Sequence, residues 1–231
     1  MHSLMTPILG ASGWGTFRRG RFSYFLFVAI CLLLASGQAL RADDLDDLIV
    51  HPGLRIIEFA QVPGARSLAV AEEIQTVFVG TRNRFLYGLH EGKRYLLASD
   101  MQVSNGVAWR APYLYVAEQT RITRYRFVEF TSTLPEGQVI FDQLPDKRHH
   151  GWRYLAIDDS GELYVSVGVA CNVCIADSAY EGTILRIVPQ PGRIPKIYAF
   201  GIRNSVGLDV HPRTGELWFT DNGVDLMGDM R

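Results

Sequence analysis

The sequence predicts an all-β protein, a β-propeller built from four-stranded blades. After residue 42, short runs of aliphatic, aromatic and β-branched residues alternate with Gly, Pro, Asn and Asp, and no long stretch has helical periodicity. In addition, one hairpin pattern recurs: an apolar strand, a polar turn, and a second strand of the form aliphatic-aromatic-Val-small. A hairpin that returns at a regular period indicates a repeat architecture.

The hairpin pattern occurs four times. Its copies are Ser67–Gly80, Gly106–Ala117, Tyr154–Ser166 and Gly207–Thr220. Equivalent positions in their first strands are 39, 48 and 53 residues apart, at Leu68, Val107, Leu155 and Leu208. A four-stranded propeller blade takes about 40–50 residues, so each hairpin predicts the first two strands of a blade. Further strands that complete blades are predicted at Arg121–Phe127 and Thr183–Val188.

The number of repeats predicts how much of a propeller the chain contains. Four hairpins, the last followed by only a few residues, predict about the first three to four blades. We therefore expect residues 43–231 to be the N-terminal part of a β-propeller domain, and the chain to be truncated relative to a closed ring. A propeller hides its strand edges by closing on itself, so an open set of blades exposes edges.

Residues 1–42 differ from the rest of the chain in charge and hydropathy. They contain four arginines and no acidic residue, and Phe22–Ala35 is an uncharged apolar run of 14 residues. Small residues follow the run, as at a cleavage site. We expect a signal peptide that is cleaved after Ala39 or Ala42, and hence an exported protein, periplasmic or secreted. The alternative is an uncleaved N-terminal membrane anchor through residues 22–40, a run of 19 uncharged residues.

The composition excludes several classes of protein. The chain is 48% hydrophobic and 20% charged, which excludes a disordered, collagen-like or coiled-coil protein. The 23 Lys and Arg residues are balanced by 24 Asp and Glu, and no block of like charge occurs. Because nucleic-acid binding needs a basic face or stripe, we expect no nucleic-acid partner.

The cysteines predict a local disulfide. One of the three, Cys31, lies in the predicted leader, which leaves Cys171 and Cys174 in the body of the chain. An even pair in an oxidising compartment favours a disulfide. Two alternatives remain open: a free or redox-active thiol pair, although the thioredoxin-like context is missing, and a metal site, although no further zinc ligands lie nearby.

Three stretches resemble the glucose/sorbosone dehydrogenase family, most closely its L-sorbosone dehydrogenase-like members. They are Ser104–Trp109 with Leu114–Glu118, His149–Tyr154 through Gly168 and Cys171–Cys174, and Tyr198–Leu208 through Glu216–Gly223. The likeness runs from about Leu54 to Asp229 and covers the N-terminal portion of the family. It implies an exported six-bladed propeller that uses pyrroloquinoline quinone (PQQ) and calcium to oxidise a sugar or aldehyde, with an external electron acceptor.

The resemblance also implies roles for particular residues. His150 corresponds to the catalytic base, and a neutral histidine suits a base that takes a hydroxyl proton while hydride leaves the same carbon. Arg203 and Asn204 correspond to the residues that bind the PQQ carboxylates and a quinone oxygen. Calcium is held in the family by backbone carbonyls that correspond to Gly223 and Val224, in an oxygen-rich loop of the kind calcium prefers.

Three functions follow as hypotheses. The first is PQQ-dependent oxidation of a sugar or aldehyde by hydride transfer; because the family's later quinone-binding Lys and Arg residues have no counterpart before Arg231, we expect this chain to be an incomplete and inactive copy. The second is a calcium-dependent lactonase-like propeller, which needs a cluster of Glu, Asn and Asp ligands that the sequence does not show. The third is a non-catalytic propeller fragment that acts as a binding module.

Overall fold

The structure is a computed structural model that describes residues 48–225. The chain divides into two compact units, Met1–Glu58 and Phe59–Arg231. In the first unit, the described residues 48–58 are exposed and contain neither strand nor helix. The predicted leader, residues 1–42, lies outside the described residues. Within the described part of the chain, no helix is long and apolar enough to cross a membrane.

The second unit is almost entirely β-structure, arranged in three four-stranded sheets and one hairpin. The first sheet contains β1 (Ala65–Ala71), β2 (Thr76–Thr81), β3 (Leu86–His90) and β4 (Lys93–Ala98). The second contains β5 (Gly106–Arg110), β6 (Tyr113–Ala117), β7 (Ile122–Arg126) and β8 (Gly137–Phe141). The third contains β9 (Leu155–Ile157), β10 (Leu163–Val167), β11 (Thr183–Ile187) and β12 (Lys196–Phe200). The hairpin contains β13 (Gly207–Val210) and β14 (Leu217–Thr220).

Each sheet is an antiparallel meander whose strands pair in chain order, which is the construction of a propeller blade. The four predicted hairpins are β1–β2, β5–β6, β9–β10 and β13–β14, and the strands predicted at Arg121–Phe127 and Thr183–Val188 are β7 and β11. The prediction of an all-β propeller with four-stranded blades is therefore confirmed, with three complete blades and a hairpin among the described residues. We call the three sheets blades 1 to 3.

The hydrophobic cores lie between neighbouring sheets rather than within any one of them. Phe78 and Leu86 of blade 1 pack with Leu114 and Val116 of blade 2. Blades 2 and 3 share a second core, and blade 3 shares a third with Leu208 and Leu217 of the hairpin. Because an inner strand has a sheet on each side, it is apolar on both faces, as in β10, where all five residues are buried.

The inner two strands of a blade approach the segment that leads into the next blade so closely that two positions require glycine. A Cβ atom at Gly80 would lie 2.3 Å from the Asn105 carbonyl oxygen, and one at Gly106 would lie 2.5 Å from the Arg153 carbonyl oxygen. The Asn105 side-chain amide also donates to the Arg153 carbonyl at 2.8 Å. These contacts fix the start of β5 against the segment that leads into β9.

The antiparallel order places one set of loops at a single end of the sheets. This loop face consists of the segments before β5, β9 and β13 and after β2, β6, β10 and β14. Backbone hydrogen bonds join neighbouring segments: Gln119 N donates to Gln102 O at 2.9 Å, and Asn222 N donates to Asn204 O at 3.1 Å. The residues that the family resemblance singled out all lie on this loop face.

Candidate active site

His150 lies in the loop before β9 and is 8% exposed. Its Nδ1 atom is 2.6 Å from the Val169 carbonyl oxygen. A carbonyl only accepts hydrogen bonds, so the ring donates from Nδ1, and in the neutral imidazole Nε2 is then the atom that can accept a proton. The backbone of His150 has a φ of 51°, a conformation that few non-glycine residues adopt.

The surroundings of His150 favour its neutral form. Burial lowers the pKa of the imidazole below its ordinary value, and the hydrogen bond to the Val169 carbonyl opposes that effect. The neighbouring His149 and Arg203 lower the pKa further, while Asp225 raises it. A neutral histidine with an available Nε2 atom is the form that acts as a general base.

Gly168 determines how closely the His150 and Arg203 segments approach. A Cβ atom at Gly168 would lie 2.6 Å from His150 Cβ and 3.2 Å from the Arg203 carbonyl oxygen. Beside it, Val169 N donates to the Arg203 carbonyl at 2.9 Å. The end of β10 therefore holds the candidate base against the segment that carries the two candidate cofactor-binding residues.

The guanidinium group of Arg203 is largely buried and contacts three loop residues. It donates from Nε to the Asn172 carbonyl at 3.2 Å and from Nη1 to the Asn222 carbonyl at 3.1 Å. Its Nη2 atom forms an ion pair with Asp225 at 2.6 Å. These contacts use three of the five N–H groups of the guanidinium, which leaves two for an anionic ligand.

Asn204 is buried, and its backbone is fixed by the carboxylate of Asp221. The backbone N–H groups of Asn204 and Arg203 donate to the two oxygens of Asp221, at 2.7 Å and 3.2 Å. The side-chain amide of Asn204 has no hydrogen-bond partner among residues 48–225. Solvent reaches this amide, so either water or a bound ligand can supply its partner.

Gly223 and Val224 lie in the exposed loop that follows β14. Within residues 48–225, no backbone or side-chain donor bonds to their carbonyl oxygens, and no group of three or more His, Cys, Asp or Glu residues could hold a metal ion. A calcium ion at this loop would therefore be held by carbonyl oxygens, with the carboxylates of Asp221 and Asp225 on either side in sequence. Such an oxygen donor set suits a hard cation.

Cys171 and Cys174 form a disulfide in the loop between β10 and β11, with their Cα atoms 6.1 Å apart. Asn172, inside this small ring, bonds to the backbone of Asp225: its Oδ1 accepts from Asp225 N at 2.8 Å, and its Nδ2 donates to Asp225 O at 3.3 Å. The disulfide loop therefore connects to the candidate calcium loop and, through the Asn172 carbonyl, to Arg203.

Arg153, which sequence reasoning missed, lies fully buried beneath the His150 loop. Its guanidinium donates to the carbonyls of Gln119 at 3.0 Å, Pro145 at 2.6 Å and His150 at 3.4 Å. Burial lowers the pKa of the group to about 10, so it stays charged at neutral pH. The sequence did not indicate that Arg153 is buried, because a basic residue in a short loop is ordinarily a surface residue.

The structure thus brings together all the residues that the resemblance singled out. His150, Arg203 and Asn204 are joined through Gly168, Val169 and Asp221, and the 221–225 loop contacts Arg203. The residues that make these connections lie in the resembling stretches or in the predicted calcium loop, but the sequence assigned none of them an individual role: they are Gly168, Asn172, Asp221 and Asp225. The position of Asp221, directly after the aromatic strand β14, could have indicated a role at the loop face. The contacts of the other three residues can be recognised only in the folded structure.

These residues fit a carboxylate-bearing quinone. The buried Asn204 amide lacks a partner among the described residues, two N–H groups of Arg203 are available, and the Asp225 that neutralises Arg203 is itself 67% exposed and free to exchange partners. The fold and site together define a β-propeller whose loop face carries a largely buried histidine next to an arginine with two available N–H groups and a buried asparagine.

A sequence model of the glucose/sorbosone dehydrogenase family matches residues 113–229, just over half of the chain. The chain belongs to this family. It is also 28% identical over 221 residues to an uncharacterized protein of Borreliella burgdorferi, covering 90% of this chain and 58% of that protein. The chain thus spans less than two thirds of the length of this relative.

Solved structures with the same fold support the assignment of the propeller. An oxidoreductase from Thermus thermophilus, described as a glucose dehydrogenase, superposes with a TM-score of 0.59 at 24% identity, over 74% of this chain and 62% of that one. The PQQ domain of a pyranose dehydrogenase from Coprinopsis cinerea gives 0.60 at 15% identity, over 70% and 44%. The soluble aldose sugar dehydrogenase of Escherichia coli gives 0.54 at 17% identity, over 69% and 57%.

Proposed function

We propose that this chain provides the catalytic base and part of the cofactor site of a PQQ-dependent dehydrogenase that oxidises a sugar or an aldehyde. The observation that carries the proposal is the state of His150, whose Nδ1 is bonded to the Val169 carbonyl and whose Nε2 is left as the acceptor. Family membership supports the same reaction class. The substrate and the external electron acceptor belong to the proposal.

When bound, PQQ would supply the hydride acceptor for a substrate carbon that carries a hydroxyl group. His150 takes the hydroxyl proton on Nε2, so that hydride and proton together account for the two-electron oxidation. The Nδ1–H bond to the Val169 carbonyl holds the ring in the required tautomer and becomes charge-assisted when the imidazole is protonated.

The cofactor-binding residues supply charge and a hydrogen bond. The two remaining N–H groups of Arg203 suit one carboxylate of the quinone, and the Asn204 amide suits a quinone oxygen. The carbonyls of Gly223 and Val224 would hold calcium. Because this chain contributes these residues from one part of the family's length, we propose that it binds PQQ weakly by itself and is inactive alone.

Cofactor binding tests this proposal without requiring turnover. The full chain is titrated with PQQ and calcium by equilibrium dialysis, and Asn204→Ala is expected to weaken PQQ binding about tenfold because it removes a buried amide donor. Gln138→Ala, which removes an exposed amide in the outer strand β8 of blade 2, is the matched control and should leave binding unchanged. Equal PQQ binding by both variants and the parent chain would contradict the assignment of Asn204, and no PQQ binding at all would contradict the proposed function.

We also propose that residues 1–42 direct export to the periplasm or the medium, with a membrane anchor at residues 22–40 as the alternative. The Cys171–Cys174 disulfide supports an oxidising compartment. N-terminal sequencing of the protein from fractionated cells tests this. We expect the mature chain outside the cytoplasm, beginning after Ala39 or Ala42, and recovery from the cytoplasm with Met1 intact would contradict it.

A further inference from the structure

A cavity of about 550 Å³ lies beside strands β11 and β12 of blade 3, at the end of the sheets opposite the loop face. The turn between β11 and β12 forms much of its wall, and the residue just before β10 closes one side. Its charged lining residues are Glu162, Arg186, Arg193 and Lys196. The volume is in the range of small-molecule sites, and none of the residues assigned above to the base, the quinone or calcium lines the cavity.

The charges of this lining are not balanced. Glu162 forms an ion pair with Arg186. Arg186 and Lys196 are directly paired across β11 and β12, so their side chains lie on the same face of the sheet. No ion pair to Arg193 or Lys196 occurs within residues 48–225. The cavity therefore carries two positive charges that no carboxylate of the described chain compensates.

The two guanidinium groups keep donors available to a ligand. Arg186 donates from Nη2 to Glu162, which leaves its Nη1 atom without an acceptor in the described part of the chain. Its Nε atom is buried and also lacks a partner, so the hydrogen bonding of this guanidinium is incomplete among the described residues. Arg193 uses only Nε, in a long hydrogen bond of 3.4 Å to Gln190, so both of its Nη atoms are available.

The turn that carries Arg193 is held in place by its sequence and by blade 2. Residues 188–195 include three prolines, each of which fixes its own φ. The Arg124 guanidinium of β7 donates to the Pro189 carbonyl at 2.9 Å. In the same turn, the backbone N–H groups of Gly192 and Ile194 have no acceptor among the described residues. Donors on a fixed backbone lose little conformational entropy when a ligand binds.

A phosphomonoester matches this combination of charge, donors and volume. At pH 7 it carries about 1.5 to 2 negative charges and three terminal oxygens that accept hydrogen bonds. Guanidinium and ammonium groups donate to such oxygens in charge-assisted hydrogen bonds. The cavity is larger than one phosphate group, and Val188 and Ile194 are exposed beside the charged residues. These two side chains offer an apolar surface to the organic part of the ligand.

We propose that this cavity binds the phosphate group of an organic phosphomonoester, with Arg186, Arg193 and Lys196 as the binding residues. The phosphate group belongs either to a soluble compound or to a lipid headgroup, since both present the same oxygens. The site lies at the opposite end of the sheets from His150. It is therefore independent of the proposed dehydrogenase function and is tested without PQQ.

Titration of the full chain with glycerol 3-phosphate, followed by calorimetry at low salt, tests the site. The ligand should bind at least about tenfold more tightly than acetate, which carries a single charge. Arg193→Gln and Lys196→Gln should each weaken binding about five- to tenfold. Glu162→Gln should strengthen it about threefold, because it removes the carboxylate that competes for Arg186. Arg213→Gln, at an exposed position in the turn between β13 and β14 at the same end, is the matched control and should leave binding unchanged.

Phosphatidylcholine vesicles with and without about 30% phosphatidic acid distinguish the two sources of the phosphate group. Flotation of the parent chain, but not of Arg193→Gln, with the acidic vesicles alone would assign a lipid headgroup, and glycerol 3-phosphate binding without flotation would assign a soluble compound. No binding of either ligand up to about 20 mM, equal affinity for acetate, or an equal loss in Arg213→Gln would overturn the proposal. The Arg193 and Lys196 side chains are exposed, so these variants are expected to fold.

Discussion

Opposing effects act on the pKa of the His150 imidazole. Burial favours the neutral ring, whereas the Val169 carbonyl and Asp225 favour the protonated ring, and burial has the larger effect. The loop that creates this environment is itself held from below by Arg153, whose Nη1 atom donates to the His150 carbonyl. The state of the candidate base is thus set by residues on three segments of the loop face.

The lowered pKa of His150 predicts a pH-dependent stability. The unfolded chain has a histidine of ordinary pKa, about 6.5, so below that pH the unfolded state binds a proton that the folded state does not take up until its own lower pKa is reached. The stability contributed by neutral His150 is therefore present above about pH 6.5 and is lost as the pH falls through the folded pKa.

Urea unfolding of the parent chain and of His150→Gln between pH 5 and 8 measures this effect. The parent should lose stability relative to the variant below about pH 6.5, and the difference should be constant above it. A ¹⁵N titration of the His150 ring gives the folded pKa directly. A difference that is flat across the whole range, or that grows toward acid pH in favour of the parent, would show that burial does not dominate.

Gly168 allows a second test at the scale of one residue. Gly168→Ala places a Cβ atom 2.6 Å from His150 Cβ, so one of the two segments must move, and we expect a destabilisation of about 1–3 kcal/mol. The His150–Val169 hydrogen bond should weaken with it, which the Nδ1 chemical shift reports. Gly207→Ala, whose Cβ would meet only Thr220 Oγ1 at 3.5 Å, should change stability by less than about 0.5 kcal/mol. Similar losses in the two variants would contradict this account.

Single residues were predictable from the sequence only where chemistry and position coincide. His150, Arg203 and Asn204 stand in motifs, and the structure places them together. Gly168 and Arg153 lie in the same resembling stretch as His150, but their roles were not predictable, because these roles come from how closely two distant segments approach. No local pattern encodes that distance, and both residue types are common in loops that carry no function.

At the scale of elements, the sequence pattern predicted the inner strands of the blades but not their outer strands. The β5–β6 and β9–β10 hairpins carry apolar stretches because a neighbouring sheet covers each of their faces, whereas β1–β2 and β13–β14 each have one exposed apolar face. The outer strands β4, β8 and β12 contain more exposed residues and mix polar with apolar side chains. The hydrogen bonds between loops could not be predicted from the sequence either. Asn172 links the disulfide loop to the 221–225 loop across 53 residues of sequence.

The disulfide loop predicts a stability effect that comes from its size. Closing a ring between Cys171 and Cys174 lowers the entropy of the unfolded chain, and the chain-entropy estimate for so short a loop is about 2 kcal/mol. Cys171→Ser with Cys174→Ser should lower the free energy of unfolding by about that amount and release Asn172 from Asp225. Mass spectrometry after alkylation without reduction should find no free thiol in the parent. Two alkylated cysteines in the folded parent would contradict the pairing.

Arg153 connects elements from blades 2 and 3, and its loss should be costly. Arg153→Gln leaves the carbonyls of Gln119, Pro145 and His150 short of a buried charged donor, and we expect a loss of about 3 kcal/mol in the free energy of unfolding. Arg126→Gln, at an exposed position of β7, is the control and should change it by less than about 0.5 kcal/mol. A loss no greater than that of the control would mean that water satisfies those carbonyls.

At the scale of the second unit, three cores join the sheets in chain order, and two outer faces remain apolar. In β1, Ala69 and Ala71 pack toward blade 2, while Leu68 and Val70 on the opposite face are 64% and 59% exposed. In the hairpin, Leu217 packs toward blade 3, while Trp218 is 65% exposed on the other face. Exposed apolar faces favour association in solution, because association removes them from water.

These faces predict concentration-dependent self-association of the chain. Leu68→Lys combined with Trp218→Lys puts a charge on both faces, and because both side chains are exposed, the fold should lose less than about 1 kcal/mol. Sedimentation velocity should show the parent shifting to larger species as concentration rises and the variant remaining monomeric over the same range. Ser132→Lys, in the exposed loop between β7 and β8, adds positive charge away from both faces and should associate like the parent. A parent chain that stays monomeric, or a Ser132→Lys variant that dissociates as fully as the double variant, would show that these faces are not the sites of association and that added charge alone explains the change.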